Sequence, residues 1–443
     1  MYRRSIISLA WPIAVSSLSF SVMTLVDMYF VGNLGEEVFA GVALAGTIAW
    51  VLSTLPNGII KATKALVATI CGSTNGNSAE KKQKALVYIS TGWSFAVTIG
   101  ICYVGIIYAV APYIASYCET PATTAAAITY LTLRSWGYPI LFVQNCVREY
   151  QYGIGNTKVT MIATLIGNTL NGALNYVSQE YTDFGLHGIV FATLIGVVVQ
   201  AGIIIGYQKI QGPLLVRFTR QHIQELFRVG VPQGVQFFLE CSAYVVIGLW
   251  LSSFSYREMG AHHIVDRILL LSFLVAKAIG EGSAVLAGNT IGNNVFEKVR
   301  YISTQTMLLI FFYTAFCAMV FVLFGGQIAI LFTREALTIE LVKHLFVYAA
   351  LFQVFDGAMI AGSCILRGTT DTTFVAITGI FITWAIIIPL VWFFGFFLGQ
   401  GAQGVWIGLS VGAIVKSMVY WHRIMTNKWH KAAQKTCSSM AHL

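Results

Sequence analysis

Charged side chains are scarce in this sequence. Asp, Glu, Lys and Arg make up 10% of its 443 residues, against about 25% in soluble domains. That is too little polar surface to cover a water-exposed globule of this size, so lipid must cover much of the chain. Length alone would suggest two or three soluble domains, but long apolar runs override that prior. Enzyme signatures are missing too. There is no GxxxxGK[ST] sequence, so no ATP site of that kind, and neither HExxH nor CxxC occurs. The GLSVG match at Gly408–Gly412 lies inside an apolar run rather than at a strand-to-helix turn, and is a chance match to the nucleophile-elbow pattern. An ion gradient is therefore the expected energy source. The N-terminal apolar stretch runs from Ile6 past Met23 without a small-residue cleavage site, and reads as a retained membrane helix rather than a leader.

What is present is apolar. Hydrophobic residues make up 57% of the chain. A bilayer core of about 30 Å needs about 20 apolar residues in helical form. Stretches of that order recur at Ile6–Phe30, Phe39–Ile60, Leu86–Ala111, Ala125–Tyr150, Thr160–Val177 and Leu186–Ile205. A second set occupies Ile223–Leu251, Ala261–Val285, Ile302–Leu323, Leu341–Leu366, Phe374–Phe396 and Gly404–Tyr420. Barrel strands would be shorter and alternating. The pattern predicts an all-α polytopic membrane protein with twelve transmembrane helices. The eight cysteines carry no disulfide pattern. Cys71, Cys102, Cys118, Cys146, Cys241, Cys317 and Cys364 lie in or near apolar runs and Cys437 near the end, as small packing residues do.

The net charge of +9 is scattered over short loops, which fits a membrane surface and not nucleic acid. Alternate loops must share a side of the membrane. One set holds Arg3 and Arg4, Lys81, Lys82 and Lys84, Lys158, Lys209, Arg217, Arg220 and Arg228, Lys298 and Arg300, Arg367, and Arg423, Lys428, Lys431 and Lys435. The other holds Glu36 and Glu37, Glu119, Glu180 and Asp183, Arg257 and Glu258, and Arg334 with Glu335. Cytoplasmic loops carry the excess of Lys and Arg, so both termini are expected inside a bacterial-type inner (plasma) membrane.

The chain also repeats itself. GVPQGVQF echoes LAWPIAVSS, setting Pro232 against Pro12, and VLAGNTIGNN echoes LVATICGSTN, setting Gly292 against Gly72, both at a spacing of 220. ILRGTTDTTFVAI echoes YGIGNTKVTMIAT, with Gly368 against Gly155, and GVWIGLSVG echoes GIVFATLIG, with Gly404 against Gly188. Four echoes in order indicate two six-helix lobes. An even helix number gives the halves one orientation, so a pseudo-two-fold along the membrane normal is expected. The expected division is an N-terminal lobe at 1–205, a cytoplasmic linker at 206–222, a C-terminal lobe at 223–424 and a cytoplasmic tail at 425–443.

Ionisable groups inside membrane helices are costly and usually functional. Asp27 sits in TLVDMYFVGNLG, Glu240 in FFLECSAYVVIG and Asp356 in ALFQVFDGAMIAG. Each is either a carboxylate satisfied near a helix end or a site for Na⁺ or a proton. Asn168, Asn171 and Asn175 share the fifth helix, the last two at i,i+4 on one face. Their amide oxygens suit Na⁺, and interhelical hydrogen bonding is the other reading. Thr193 adds a hydroxyl. Lys61 and Lys64 fall at the end of the second helix, and Lys277 and Glu281 within the eighth. They either snorkel to water or serve substrate contact or gating, as Gln353 would beside Asp356. The repeat sets position 61 against 281, so Lys61 and Glu281 are candidates for an ion pair between the halves. His262, His263, Asp266 and Arg267 read as a solvated cap beginning the eighth helix.

At LAWPIAVSSLSFSVMTLVDMYFVGNLG, GNTLNGALNY followed by GIVFAT, VPQGVQFFLE and FQVFDGAMIAGSCILRG, the sequence resembles the multidrug and toxic compound extrusion (MATE) family, over roughly residues 5–420. The resemblance implies a V-shaped pair of six-helix lobes and drug/cation antiport by alternating access. Asp27 matches the family's first-helix acid, Asn171 and Asn175 a fifth-helix pair and Thr193 a sixth-helix threonine, which together imply a cation site in the N-terminal lobe. Asn175 stands where another branch has Asp, which looks like the NorM branch. Glu240 and Asp356 match acidic residues of the C-terminal lobe in that branch, where they imply a second Na⁺ or proton site. Phe352 replaces a frequent Tyr one turn earlier, removing an oxygen ligand. Lys61, Lys64 and Lys277 depart from the usual expectation of a cationic substrate.

The expected function is thus a Na⁺- or H⁺-coupled antiporter exporting amphipathic organic compounds, not an enzyme. It would need no cofactor beyond the coupling ion, and its partners would be a small-molecule substrate and the lipid bilayer. Nothing in the sequence points to an oligomeric interface, and a monomer satisfies it. A flippase of lipids or lipid-linked oligosaccharides is the first alternative, with Lys61 and Lys64 as its support. A membrane-embedded enzyme would need a converging nucleophile or metal cluster, and none is visible.

Overall fold

The computed structural model describes residues 2–73, 77–114, 118 and 120–441. Glu119, counted among the loop charges, lies outside them. Among the described residues there is no strand. The helices are α1 (Tyr2–Gly32), α2 (Glu36–Ile60), α3 (Ala62–Gly72), α4 (Ser78–Ile114), α5 (Pro121–Ser135), α6 (Tyr138–Gly153), α7 (Lys158–Tyr181) and α8 (Gly185–Gln211). They continue as α9 (Arg220–Leu251), α10 (Tyr256–Gly292), α11 (Glu297–Ile330), α12 (Ala336–Gly368), α13 (Thr372–Ile382), α14 (Ile388–Trp392), α15 (Gly401–Met425) and α16 (His430–Ala441).

Among the described residues, ten helical stretches are long and apolar enough to cross a membrane. Two more make twelve. Pro121–Gly153 is broken between α5 and α6, where Pro139 enters the first turn of α6; proline suits a helix start and cannot continue the helix before it. Helix α7 is long enough, but three asparagines dilute its hydropathy. The eleventh crossing, Thr372–Phe397, opens into π-turns at Thr383–Ile387 and Phe393–Phe397, on either side of Pro389. A proline withholds its N–H from the ladder and perturbs the turns around it.

Two boundaries differ in kind from expectation. The second crossing does not end at Ile60. After a break at Lys61 it continues as α3 to Gly72, so Lys61 and Lys64 lie within the crossing, not at its end. The eighth crossing starts earlier than its histidines. Ser255 caps it, with Ser255 Oγ accepting from Glu258 N at 3.3 Å and Glu258 Oε2 accepting from Ser255 N at 3.4 Å, a capping box legible as S-x-x-E.

The chain packs as two compact units, Val15–Cys71 with Asn75–Gly234, and Met1–Ala14 with Gly72–Thr74 and Val235–Leu443. Both α1 and α9 pass from one unit to the other. The changeovers at 14 and 234 fall 220 residues apart, the spacing of the Pro12 and Pro232 echo. In the first unit α2 packs on α5, α4 on α6 and α7 on α8. In the second, α12 is central and packs on α10, α11 and α15. Its buried core includes Phe321, Leu345, Phe346, Val391 and Trp406. Inside a bilayer such contacts act through close packing and not through exclusion of water. Helix α11 turns Phe312, Phe316, Leu323 and Phe324 outward, the surface lipid would cover.

The segment expected as a tail is a docked helix. Trp429, 1% exposed, enters a core with Tyr420, Ile424 and Ile365. The Thr436 and Thr370 hydroxyls lie 2.8 Å apart, and Cys437 Sγ donates to the Ile291 carbonyl at 3.6 Å. All eight cysteines are free thiols.

Candidate functional site

In the first unit, the helical period of α7 places Asn168, Asn171 and Asn175 on one buried face, toward α1 and α8. Asn175 Nδ2 donates to Asp27 Oδ1 at 2.6 Å. Thr193 Oγ1 on α8 lies 3.4 Å from Asp27 Oδ2 and 3.0 Å from the Ile189 carbonyl, and Asn171 Nδ2 donates to Thr193 Oγ1 at 3.3 Å. The four expected residues thus converge from three helices. Asn171 and Asn175 are fully buried, while Asp27 is half-buried. The side-chain oxygens Asn171 Oδ1 and Asn175 Oδ1 are buried and accept no hydrogen bond. Leaving such an acceptor unmade costs about 1–3 kcal/mol. Two bare amide oxygens beside a carboxylate form an oxygen-rich donor set of the kind hard cations take. Arg134 on α5 acts on Asp27 through space.

A polar relay extends from this site. Asn168 Nδ2 donates to Ser19 Oγ at 2.8 Å, Gln200 Nε2 to Asn168 Oδ1 at 2.9 Å and Gln144 Nε2 to Gln200 Oε1 at 2.8 Å. These amides tie α1, α7, α8 and α6 together, about two turns along α1 from Asp27.

Lys64 lies apart from this cluster in the partners it holds. It is 6% exposed, and its Nζ stands 3.5 Å from Glu149 Oε2 on α6, with Arg148 Nη2 3.7 Å from the other oxygen of Glu149. A charge so placed cannot snorkel to water. Lys61 sits at the helix break, where its N–H bonds the Asn57 carbonyl at 3.1 Å. Asn57 Oδ1 in turn accepts from Asn145 Nδ2 at 2.7 Å.

In the second unit, Glu240 on α9 and Asp356 on α12 come within electrostatic reach of each other, as the family resemblance implied. They are not alone. Lys416 Nζ on α15 lies 2.7 Å from Glu240 Oε1, which also accepts from Gln236 Nε2 at 3.2 Å. Gln236 Oε1 accepts from Arg367 Nη2 at 3.2 Å. Gly379 makes the room: a Cβ there would stand 2.8 Å from Glu240 Oε1 and 3.0 Å from the Tyr420 hydroxyl. Gln353 Oε1 accepts from Ser272 Oγ at 2.8 Å. Lys277 lies 5.6 Å from the centre of the Phe273 ring, a cation–π placement, with Glu281 half-buried one turn further along α10.

Sequence reasoning missed Lys416 and Glu149. Their signal was available, since each is an ionisable residue within an apolar run, the property that singles out Asp27 and Glu240.

Twelve crossings with carboxylates set among polar side chains inside them define a polytopic membrane transporter. The family model described as MatE matches residues 12–177 and 232–393, two stretches whose starts again differ by 220. The chain belongs to the MATE family of transporters, in its NorM branch, whose members are transporters and not enzymes. It is 26% identical over 416 residues to the probable multidrug resistance protein NorM of Xanthomonas campestris pv. campestris, covering 91% of this chain and 90% of that protein. The multidrug resistance protein MdtK of Proteus mirabilis is 26% identical over 445 residues, covering 95% and 94%. The fold matches a solved MATE transporter in its straight conformation with a TM-score of 0.88 at 20% identity, covering 97% of both chains. An outward-facing multidrug resistance MATE transporter gives 0.87 at 20% identity, covering 96% of both.

Proposed function

We propose that this protein is a Na⁺- or H⁺-coupled antiporter that exports amphipathic organic compounds across a bacterial-type inner membrane by alternating access, with both termini cytoplasmic. The observation that carries the reading is the Asp27 cluster: a half-buried carboxylate beside two buried amide oxygens that lack donors. A cation entering there neutralises Asp27 and meets Asn171 Oδ1 and Asn175 Oδ1, groups otherwise left unsatisfied. Antiport then requires only that cation and drug favour different states of the protein. The multidrug-resistance names of its relatives support drugs as the exported class. The flippase reading drew on Lys61 and Lys64, and the Lys64 charge is matched by Glu149, which weakens it.

The test is efflux of a fluorescent organic cation from proteoliposomes under imposed Na⁺ or proton gradients. One gradient is expected to drive wild-type efflux, and Asp27→Asn to abolish the gradient-driven part at an equal amount of folded protein. Full gradient-driven efflux by Asp27→Asn would remove the reading.

A further inference from the structure

The two carboxylate clusters hold different partners. Asp27 receives its hydrogen bonds from an amide and a hydroxyl, both neutral, and the amide oxygens beside it are bare. Glu240 receives an ammonium. Lys416 is 6% exposed, and its Nζ sits 2.7 Å from Glu240 Oε1, a charge-assisted contact at the short end of its range. Asp356, 8% exposed, feels both members of that pair. Arg367 reaches the same cluster through Gln236. Glu240 therefore holds a cationic side chain, Lys416, at hydrogen-bond distance, whereas the groups at that distance from Asp27 are neutral donors, with Arg134 acting on it only through space.

We infer that Lys416 is a tethered cation that occupies the place of a mobile metal cation at Glu240, so that Na⁺ is taken up at Asp27 alone. The inference rests on the antiporter reading and assigns its ion to one of two sites. The physical reason is competition for one carboxylate. A Na⁺ ion entering at Glu240 would have to displace an ammonium that cannot diffuse away. The displaced Lys416 would then remain buried without its counter-charge, the costly half of a broken buried pair. Gly379 reinforces the arrangement, since any side chain there would push on Glu240 and Gln236.

Sodium binding to the purified full-length protein tests this, read with radioactive Na⁺ by equilibrium dialysis in the Asp27→Asn background, where the first site is removed. Asp27→Asn alone is expected to bind no Na⁺, and Asp27→Asn with Lys416→Arg, which keeps the tethered charge, to bind none. Asp27→Asn with Lys416→Met is expected to gain saturable Na⁺ binding, and adding Glu240→Gln to abolish that gain. Saturable binding by Asp27→Asn that Glu240→Gln removes while Lys416 is intact would overturn the inference. So would the absence of any gain in the folded Lys416→Met protein. If Lys416→Met lowers the yield of folded protein, the Lys416→Met/Glu240→Gln pair, which strands no charge, is expected to recover it, and failure to recover it counts against the pairing itself. Loss or retention of efflux in Asp27→Asn judges the antiporter reading separately, because none of these binding measurements involves transport.

Discussion

Lys64 and Glu149 show what a single buried charge demands of its neighbour. Both are nearly inaccessible, at 6% and 3% exposed, and their ion pair spans 3.5 Å. Such a pair adds little net stability over well-packed apolar residues, but breaking it strands a charge and costs about 3–5 kcal/mol. Glu149→Gln is therefore expected to lower the thermal midpoint of the purified protein sharply. The double variant Lys64→Met with Glu149→Leu is expected to recover most of the loss, and equal melting of the single variant and wild type would show that the pair is not the relevant partner. The same arithmetic separates Asp27 from Glu240. The first carboxylate has only neutral donors, so neutralising it removes charge without orphaning a lysine.

Among the elements, α16 departs furthest from expectation. A polar stretch with two Lys and two Ser reads as a solvated tail, yet Trp429 just before it is buried against Tyr420 and Ile424. Phe296 lies 6.0 Å from Trp429 and 5.3 Å from His430, ring centre to ring centre. This docking lies beyond the end of the last crossing, where burial from water drives packing. Trp429→Ala is expected to cost about 3–5 kcal/mol, measured as a lower melting midpoint and as faster proteolysis after Met425. Burial also raises the pKa of the Cys437 thiol, which keeps it a poor nucleophile while α16 is docked. Helix α7 carries the opposite lesson. Its asparagines dilute the apolar signal of a membrane crossing, and they are the residues that build the Asp27 cluster.

At the scale of the whole molecule, the loop charges carry the proposed orientation. On the proposal that both termini are cytoplasmic, a protease site fused after Leu443 is expected to be cut in inside-out vesicles and protected in right-side-out spheroplasts. The reverse pattern would invert the assignment of every loop. The repeat is physical as well as textual, because the helices that open each half, α1 and α9, change compact unit at positions 14 and 234, two residues after Pro12 and Pro232.

The sequence by itself determined the twelve crossings and the shared face of Asn171 and Asn175, and the family resemblance implied that Asp27 and Thr193 join them. Apolar length and helical period are local properties that a single strand of text carries. The helix ends were less legible: α4 reaches from Ser78 and α10 from Tyr256, because polar first turns extend past the bilayer. The continuation of the second crossing through Lys61 was hidden for a related reason, since a lysine mimics a helix end until its partner is known. Only the tertiary structure decided which charges answer one another. Glu240 meets Lys416 across 176 residues, and Lys64 meets Glu149 across 85 positions of chain. Those pairings depend on which helix faces pack together, a global property of the fold. They distinguish a carboxylate open to a mobile ion from one already occupied by its own lysine.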